Sequence, residues 1–244
     1  MTASPSNGRA LFERRVELAC LIAAVGFVFY LLLPRHTASL LLDAAGAPEA
    51  LPSVYLTLAL WNLLAGMLRI WAGGTLGAQR MMSVTVRTDR LITSGPYAHV
   101  RNPIYTADIM TLAGMALVVP WPGTVAMVLL LALVYPRVIA YEEKNLAASL
   151  GEAYGDYRYH VPRLGWRVSA YGAGSARGVR WAEGVANNFL YLPIVPGFVV
   201  CAWTGVLWHG VAVGAIGPVA WVALHFWRNY RRGGLARPRP PSND

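Results

Sequence analysis

The chain has 244 residues, of which 56% are apolar and only 14% charged, and it carries a formal charge of +9. That balance excludes an ordinary soluble domain and a disordered chain, and the long uncharged runs make the protein polytopic, in one compact membrane domain. A basic excess would point to nucleic acid in a soluble protein. Here the arginines gather at the ends of apolar runs, so the charge reads as membrane topology and attraction to anionic lipid. Cys20 and Cys201 lie within apolar segments, which supports neither a disulfide framework nor a thiolate metal site, and the scattered histidines offer no pair at ligand spacing.

Residues 1–10 are polar and contain Pro and Gly, so they are expected to be disordered. Leu18–Leu33 is an uninterrupted apolar run that follows Arg14 and Arg15 and ends at Pro34; with further spans behind it, it reads as a signal anchor. Val54–Trp71 is a second span, with Asn62 expected to bond to a neighbouring helix. The connector from Gly73 to Arg101 is basic, and its stretch TVRTDRLITS alternates enough for a short extended piece. Ile104–Val119 and Trp121–Ala140 form a helical hairpin around Pro120–Gly123. Its second helix is expected to kink at Pro136, run on past the bilayer and stop at Gly151. Phe189–Trp208 and Val211–Trp227 make a last hairpin, turned by His209 and Gly210 and entered through a region that Pro193 and Pro196 should bend. Every Lys or Arg except Arg35 is assigned to the side of the termini and the connector, which gives six spans with both termini cytoplasmic. The expected organisation is a tail at 1–10, a transmembrane hairpin at 11–73, a core at 74–168, a linker with the C-terminal hairpin at 169–232, and a basic tail at 233–244.

The chemistry concentrates in two polar stretches that flank the central hairpin, Leu91–Asp108 and Arg137–Leu146. Asn102 before Pro103 reads as an N-cap and first helical residue. The free N–H groups of that first turn would face Tyr97 and Arg101, a natural seat for a carboxylate or phosphate. Gly95 and Pro96 supply the turn that presents Tyr97. Glu142 and Glu143 sit where the apolar run leaves the hydrocarbon, a costly place for paired carboxylates unless they are solvated or partnered. Read without further context, they are a charged helix end. Asp108 divides evenly between a partner for a nearby arginine and a contact to a cationic acceptor.

The run GPYAHVRNPIY, an apolar hairpin, then Arg137, Glu142, Glu143, Leu146, Gly151, Tyr154 and Tyr157, and finally Val161, Pro162 and Arg163, resembles the isoprenylcysteine carboxyl methyltransferase family and its relatives among the membrane phospholipid methyltransferases. The resemblance covers Trp71 to Arg163. It implies an all-α integral membrane fold of about six helices, with a cofactor pocket at the cytoplasmic face formed by the hairpin and its flanking loops. It implies S-adenosylmethionine as cofactor, held by Tyr97, Val100, Arg101, Asn102, Pro103, Tyr105, Glu142, Glu143 and Leu146, with Arg101, Arg137 and Glu143 as catalytic residues. Asp108, Arg137, Tyr157 and Arg163 would meet a lipid-like or hydrophobic small-molecule acceptor, most readily a carboxylate. The chain departs from the family in having Asn102 where His is common and Ala107 where Gly is common; Asn102 can bond but cannot serve as a base.

Two other classes compete. A membrane sterol or enone reductase using NADPH has a similar C-terminal arrangement, but its Cys and Lys signature is absent from EEKNLAASLGEAYGDYRYHVPR. Against a lipid-binding or transport protein, the polar residues gather at one membrane face and form no midplane site. The partners expected are the bilayer and a lipid or hydrophobic acceptor, with no nucleic acid.

Overall fold

The protein was analysed as a computed structural model that describes residues 5–81, 83, 85–172, 178–220, 222–224 and 227. Among them there is no strand. The helices run α1 (Pro5–Glu13), α2 (Arg15–Val28), α3 (Thr37–Ala44), α4 (Leu51–Leu76), α5 (Ala78–Met81), α6 (Pro103–Ala116), α7 (Trp121–His160), α8 (Trp181–Ala186), α9 (Ile194–Thr204) and α10 (Leu207–Gly214). The expected N-terminal disorder therefore fails from Pro5 onward, because Phe12 is buried in the core and Arg15 of the next helix is tied to its carbonyl. Residues 1–4 and the expected basic tail at 233–244 lie outside the described residues. The stretch expected to be extended, within 85–94, pairs with no strand.

Among the described residues, three helical stretches are long and apolar enough to cross a membrane: Pro48–Leu76, Trp121–His160 and Leu207–Leu224. The other three expected spans fall on shorter helices, α2 and α6 of 14 residues each and α9 of 11, about 21 Å of helix or less against ~30 Å of hydrocarbon. The outward faces of α4 and α7 are themselves apolar, with Leu56, Leu60, Leu64 and Met67 on one and Val125, Leu129 and Leu133 on the other exposed. Faces of that kind, with their backbone groups satisfied inside the helix, belong in lipid. The 40 residues of α7 would measure about 60 Å if straight, twice what the hydrocarbon requires. The half from Tyr141 onward, which carries Glu142, Glu143, Lys144, Glu152, Asp156 and Arg158, extends beyond it.

Around the central α4 pack α6, α8 and α9, while α7 lies against α1, α2 and α6. One core, built on Ile22, Leu112, Met127, Leu131 and Ile139, joins α2, α6 and α7. A second, built on Tyr55, Leu58, Val118 and Phe198, ties the C-terminal helices to α4. Asn62 does not reach across to another helix: its Nδ2 donates to Leu58 O one turn back in α4. Pro136 leaves α7 helical, and the break falls at Gly151 (φ 53°, ψ −128°). The first helix stops there, as expected, and a second follows across the kink to His160, redirected so that its last turns fold back on the loop before α6.

The C-terminal hairpin turns at Gly205 (φ 69°), four residues earlier than expected. Gly210 instead lies in α10 where it crosses α9, and a Cβ there would fall inside van der Waals contact of Gly197 O and Cys201 Sγ. Gly210→Ala is therefore expected to destabilise the protein by about 1–3 kcal/mol, the usual effect of overpacking, seen as a lower melting temperature in detergent. Gly214→Ala, where an added Cβ meets nothing within 4 Å, is expected to melt like the parent; equal melting of the two variants would contradict this crossing.

Candidate functional site

The loop before α6 is shaped by Gly95, whose φ of 59° opens the short turn Gly95–Ala98 and where an added Cβ would fall 2.7 Å from Thr75 Oγ1. The turn buries Tyr97, and the Tyr157 hydroxyl donates to Tyr97 O at 2.7 Å. Three residues after the turn, Arg101 N donates to Pro162 O at 2.9 Å. The helix starts at Pro103 as expected, but the Asn102 side chain does not cap it. Its Nδ2 donates instead to Glu143 Oε1 and to Arg163 O, each at 3.1 Å.

Glu143 is the meeting point. Only 5% exposed, it accepts Arg101 Nε at 2.9 Å on Oε1 and Arg163 Nη2 and Nε at 2.6 and 3.0 Å on Oε2. Arg101 Nη1 also donates to Arg158 O and Val161 O. Burial alone would raise the Glu143 carboxyl, but the bonds from Arg101, Arg163 and Asn102 outweigh it and hold the group below the usual carboxylate range. Its neighbour behaves oppositely. Burial pushes the Glu142 carboxyl up, against the opposing pull of the Tyr105 hydroxyl, which donates to Oε2 at 2.8 Å.

The pair thus divides into a Glu143 spent on holding three chain segments together and a Glu142 that faces a cavity. That cavity, about 310 Å³, is lined by Tyr97, Arg101, Asn102, Pro103, Tyr105, Asp108 and Glu142 from the expected set. Burial drives the Tyr97 hydroxyl well above its ordinary value, which keeps it a neutral phenol beside the cavity. Six expected site residues are not on its wall, Glu143 among them. Val100 is fully buried behind it, Leu146 packs with Tyr154 and Val161, and Tyr157 is buried in that same cluster. Arg163 meets the site only through Glu143. Arg137 is on the exposed face of α7 and bonds to Leu133 O of its own helix, so it snorkels and does not line this cavity.

The wall also holds arginines that were not among the expected site residues: Arg15, Arg69, Arg80 and Arg87. Arg15 Nη2 donates to Met81 O and Ser83 O at 2.9 Å, so it braces the connector. Arg80 pairs with Asp89. Arg69, counted from sequence with the boundary charges, is buried inside the bundle, paired with Asp108 and stacked on Tyr191 with 4.1 Å from its guanidinium carbon to the ring centre. Asp108 thereby resolves as an arginine partner. A charge inside an apolar span is itself the signal that could have found Arg69. Across Asp108, Leu190 and Tyr191 the polar cavity adjoins a second, apolar one of about 290 Å³.

Residues 54–153 match the family described as phospholipid methyltransferase. The match includes the α6 loop, Glu142 and Glu143 but ends before Tyr154, Tyr157 and Arg163. The cobalt-zinc-cadmium resistance protein CzcN of Cupriavidus metallidurans is 33% identical over 86 residues, which cover 35% of this chain and only 39% of that protein. No solved structure shows a significant match.

Glu143→Gln is expected to cost about 3–5 kcal/mol, as breaking a buried ion pair does, with the lower end favoured because the Arg163 side chain is 46% exposed and screened. Because the folded-state pKa of Glu143 is depressed, its contribution is complete above the ordinary carboxylate range and is lost as pH falls through the folded value. Melting curves taken against pH should therefore show an acid-side loss of stability that is shallower in Glu143→Gln; identical slopes in parent and variant would contradict the assignment.

Proposed function

We propose, from the membership of residues 54–153 in the phospholipid methyltransferase family, which includes isoprenylcysteine carboxyl methyltransferase-like proteins, that this integral membrane protein transfers a methyl group from S-adenosylmethionine to a lipid-like acceptor at the cytoplasmic face. The observation that carries the reading is the convergence of the α6 loop and Glu142 on one polar cavity that adjoins an apolar one. The clustering of arginines at the connector supports the cytoplasmic assignment.

S-adenosylmethionine, when bound, supplies a methyl group on a sulfonium, whose transfer to a nucleophile is an in-line displacement in which positive charge is lost. The residues present fit such a group. Glu142 offers a carboxylate with one oxygen already oriented by Tyr105, suited to accepting the two ribose hydroxyls. Tyr97 and Tyr105 offer ring faces to a sulfonium. Arg101, with the first turn of α6, offers donors for the methionine carboxylate. Arg101 is held for that task by Glu143, so Glu143 acts as a positioning residue and does not touch the cofactor. Alignment and exclusion of water do most of the remaining work. A carboxylate acceptor, giving a methyl ester, needs no base. That suits a site with Asn102 in place of a histidine and with Glu143 consumed by ion pairs.

Calorimetry of purified protein should register S-adenosylhomocysteine and not NADPH. Glu142→Ala should weaken S-adenosylhomocysteine by roughly 10–100-fold, the effect of losing hydrogen bonds to a charged group at ~1.5–3 kcal/mol. Labelled methyl groups should then appear in a membrane lipid extract. Folded protein that binds NADPH in place of S-adenosylhomocysteine would replace this reading with a reductase.

A further inference from the structure

A third cavity, of about 490 Å³, lies beside the C-terminal half of α4 and takes no part in the reading above. Its walls are Leu64, Met67 and Trp71 of α4, Met110 of α6, Trp166 of the segment after α7 and Trp181 of α8. Ile104, Tyr105 and Asp108 of α6 line the polar cavity, whereas Thr106 and Met110 lie on the other side of the same helix, and the two cavities share no lining residue. Trp166 is fixed as a wall. It stacks on His99 with 4.7 Å between ring centres and 2° between planes, His99 Nδ1 donates to Arg167 O at 2.8 Å, and Arg167 N donates to His99 O at 3.0 Å.

Among the described residues no carboxylate or arginine lines this notch, and its hydroxyl, Thr106 Oγ1, already donates to Asn102 O at 3.0 Å. What remains for a ligand is three indole N–H groups. Those of Trp71, Trp166 and Trp181 meet no acceptor among the described residues, whereas Trp61 on the same α4 gives its own to Met110 O at 2.7 Å. Tryptophans with an apolar body and an unspent N–H belong at the ester level of a bilayer. The order of groups along α4 is that of a phospholipid. Leu64 and Met67 are exposed on the face that meets hydrocarbon, Trp71 follows one turn after Met67, and Arg180 Nη2 takes the place where a Gly77 Cβ would stand, about 9 Å further along the helix. Charge at that end is one-sided: from Tyr157 to Ala182 the chain carries five arginines and no carboxylate. Arg167 and Arg180 are the chain neighbours of Trp166 and Trp181, and Glu183 engages Arg180 through Nη1. Such a rim attracts an anionic head over a zwitterionic one, and because the α4 face is in lipid the occupant arrives from the bilayer.

We infer that the notch between α4, α6 and α8 is a binding site for one anionic phospholipid, with a chain along Leu64 and Met67, ester and phosphate oxygens accepting from the indole N–H groups, and its head charge met by Arg167 and Arg180. This lipid is a bound companion and not the methyl acceptor, so no bond is made or broken at the notch. Its position still bears on the polar cavity. The segment that carries Trp166 also supplies Val161 O and Pro162 O to Arg101 and the Arg163 side chain to Glu143. A lipid that bridges Trp71, Trp166 and Trp181 ties that segment to α4 and thereby steadies Arg101. The site stands on its own geometry, whether or not the protein transfers methyl groups.

The test is lipid retention by the full-length protein in maltoside micelles, counted by native mass spectrometry during titration with phosphatidylglycerol or phosphatidylcholine of the same chains. A single phosphatidylglycerol should be retained per protein, roughly tenfold tighter than phosphatidylcholine, the effect of two arginines near the membrane surface. Arg167→Gln combined with Arg180→Gln should bring the two lipids level. Trp166→Ala combined with Trp181→Ala should weaken both by roughly tenfold, with melting in lipid-free micelles as the check that the variant is folded. A reading that needs no variant is tryptophan quenching: bromine-labelled phosphatidylglycerol should quench the parent more than bromine-labelled phosphatidylcholine at equal mole fraction. Equal retention and equal quenching by the two lipids, a preference that survives the double arginine variant, or undiminished retention by a folded double tryptophan variant would each overturn the inference. Displacement of the lipid by excess glycerol phosphate would overturn it too, by reducing the site to a small-anion pocket. Lipid retention by a protein that ignores S-adenosylhomocysteine would preserve the site and remove the methyltransferase reading.

Discussion

One buried carboxylate organises the polar end of this molecule. Glu143 gathers donors from Arg101, Asn102 and Arg163, residues that lie on the two sides of a helical hairpin and on the segment beyond Gly151. A carboxylate held away from water cannot stand alone, and satisfying it forces the loop before α6 and the end of α7 together. The break at Gly151 makes this possible, because a straight helix would carry Tyr157 and Arg163 away from Tyr97 and Arg101.

That arrangement separates the roles of two adjacent glutamates. Consecutive helical positions point about 100° apart, so when Glu143 turns into the ion-pair cluster Glu142 must face another way, here toward Tyr105 and the cavity. Helices α2, α6, α9 and α10 supply walls that suit a hydrocarbon chain, while the arginines of α2, α4 and the connector supply a polar floor. Polar and apolar chambers therefore share a boundary at Asp108 and Tyr191, at the depth where the bundle passes from charged to apolar.

Much of this was legible in the chain itself. The start of α6 at Pro103, the hairpin around Pro120, the continuation of α7 and the broken entry before α9 follow from local rules of proline, glycine and apolar periodicity, and each is present. The functional weight of the α6 loop and the glutamate pair was legible only through the family resemblance. What local rules missed was decided by tertiary partners. Asn102 has the composition of a cap, yet the pull of a buried Glu143 takes its side chain elsewhere. Arg137 has the spacing of a site residue, yet the helix turns it outward. Arg69 was read as a boundary charge because hydropathy locates span ends without saying which face a side chain takes, and its partner Asp108 lies 39 positions away. The hairpin turn was assigned to Gly210 because a glycine in a crossing and a glycine in a turn look alike until the neighbouring helix is known.

The claim on which the account turns is that the cavity walled by Tyr97, Tyr105 and Glu142 receives a sulfonium nucleoside. An experimental structure of the detergent-solubilised protein with S-adenosylhomocysteine answers it directly. The account predicts ribose density against Glu142, with the thioether toward Asp108 and Tyr191. Density for the nucleoside in the aromatic notch at Trp71, Trp166 and Trp181, with the Glu142 cavity holding only solvent, would contradict it.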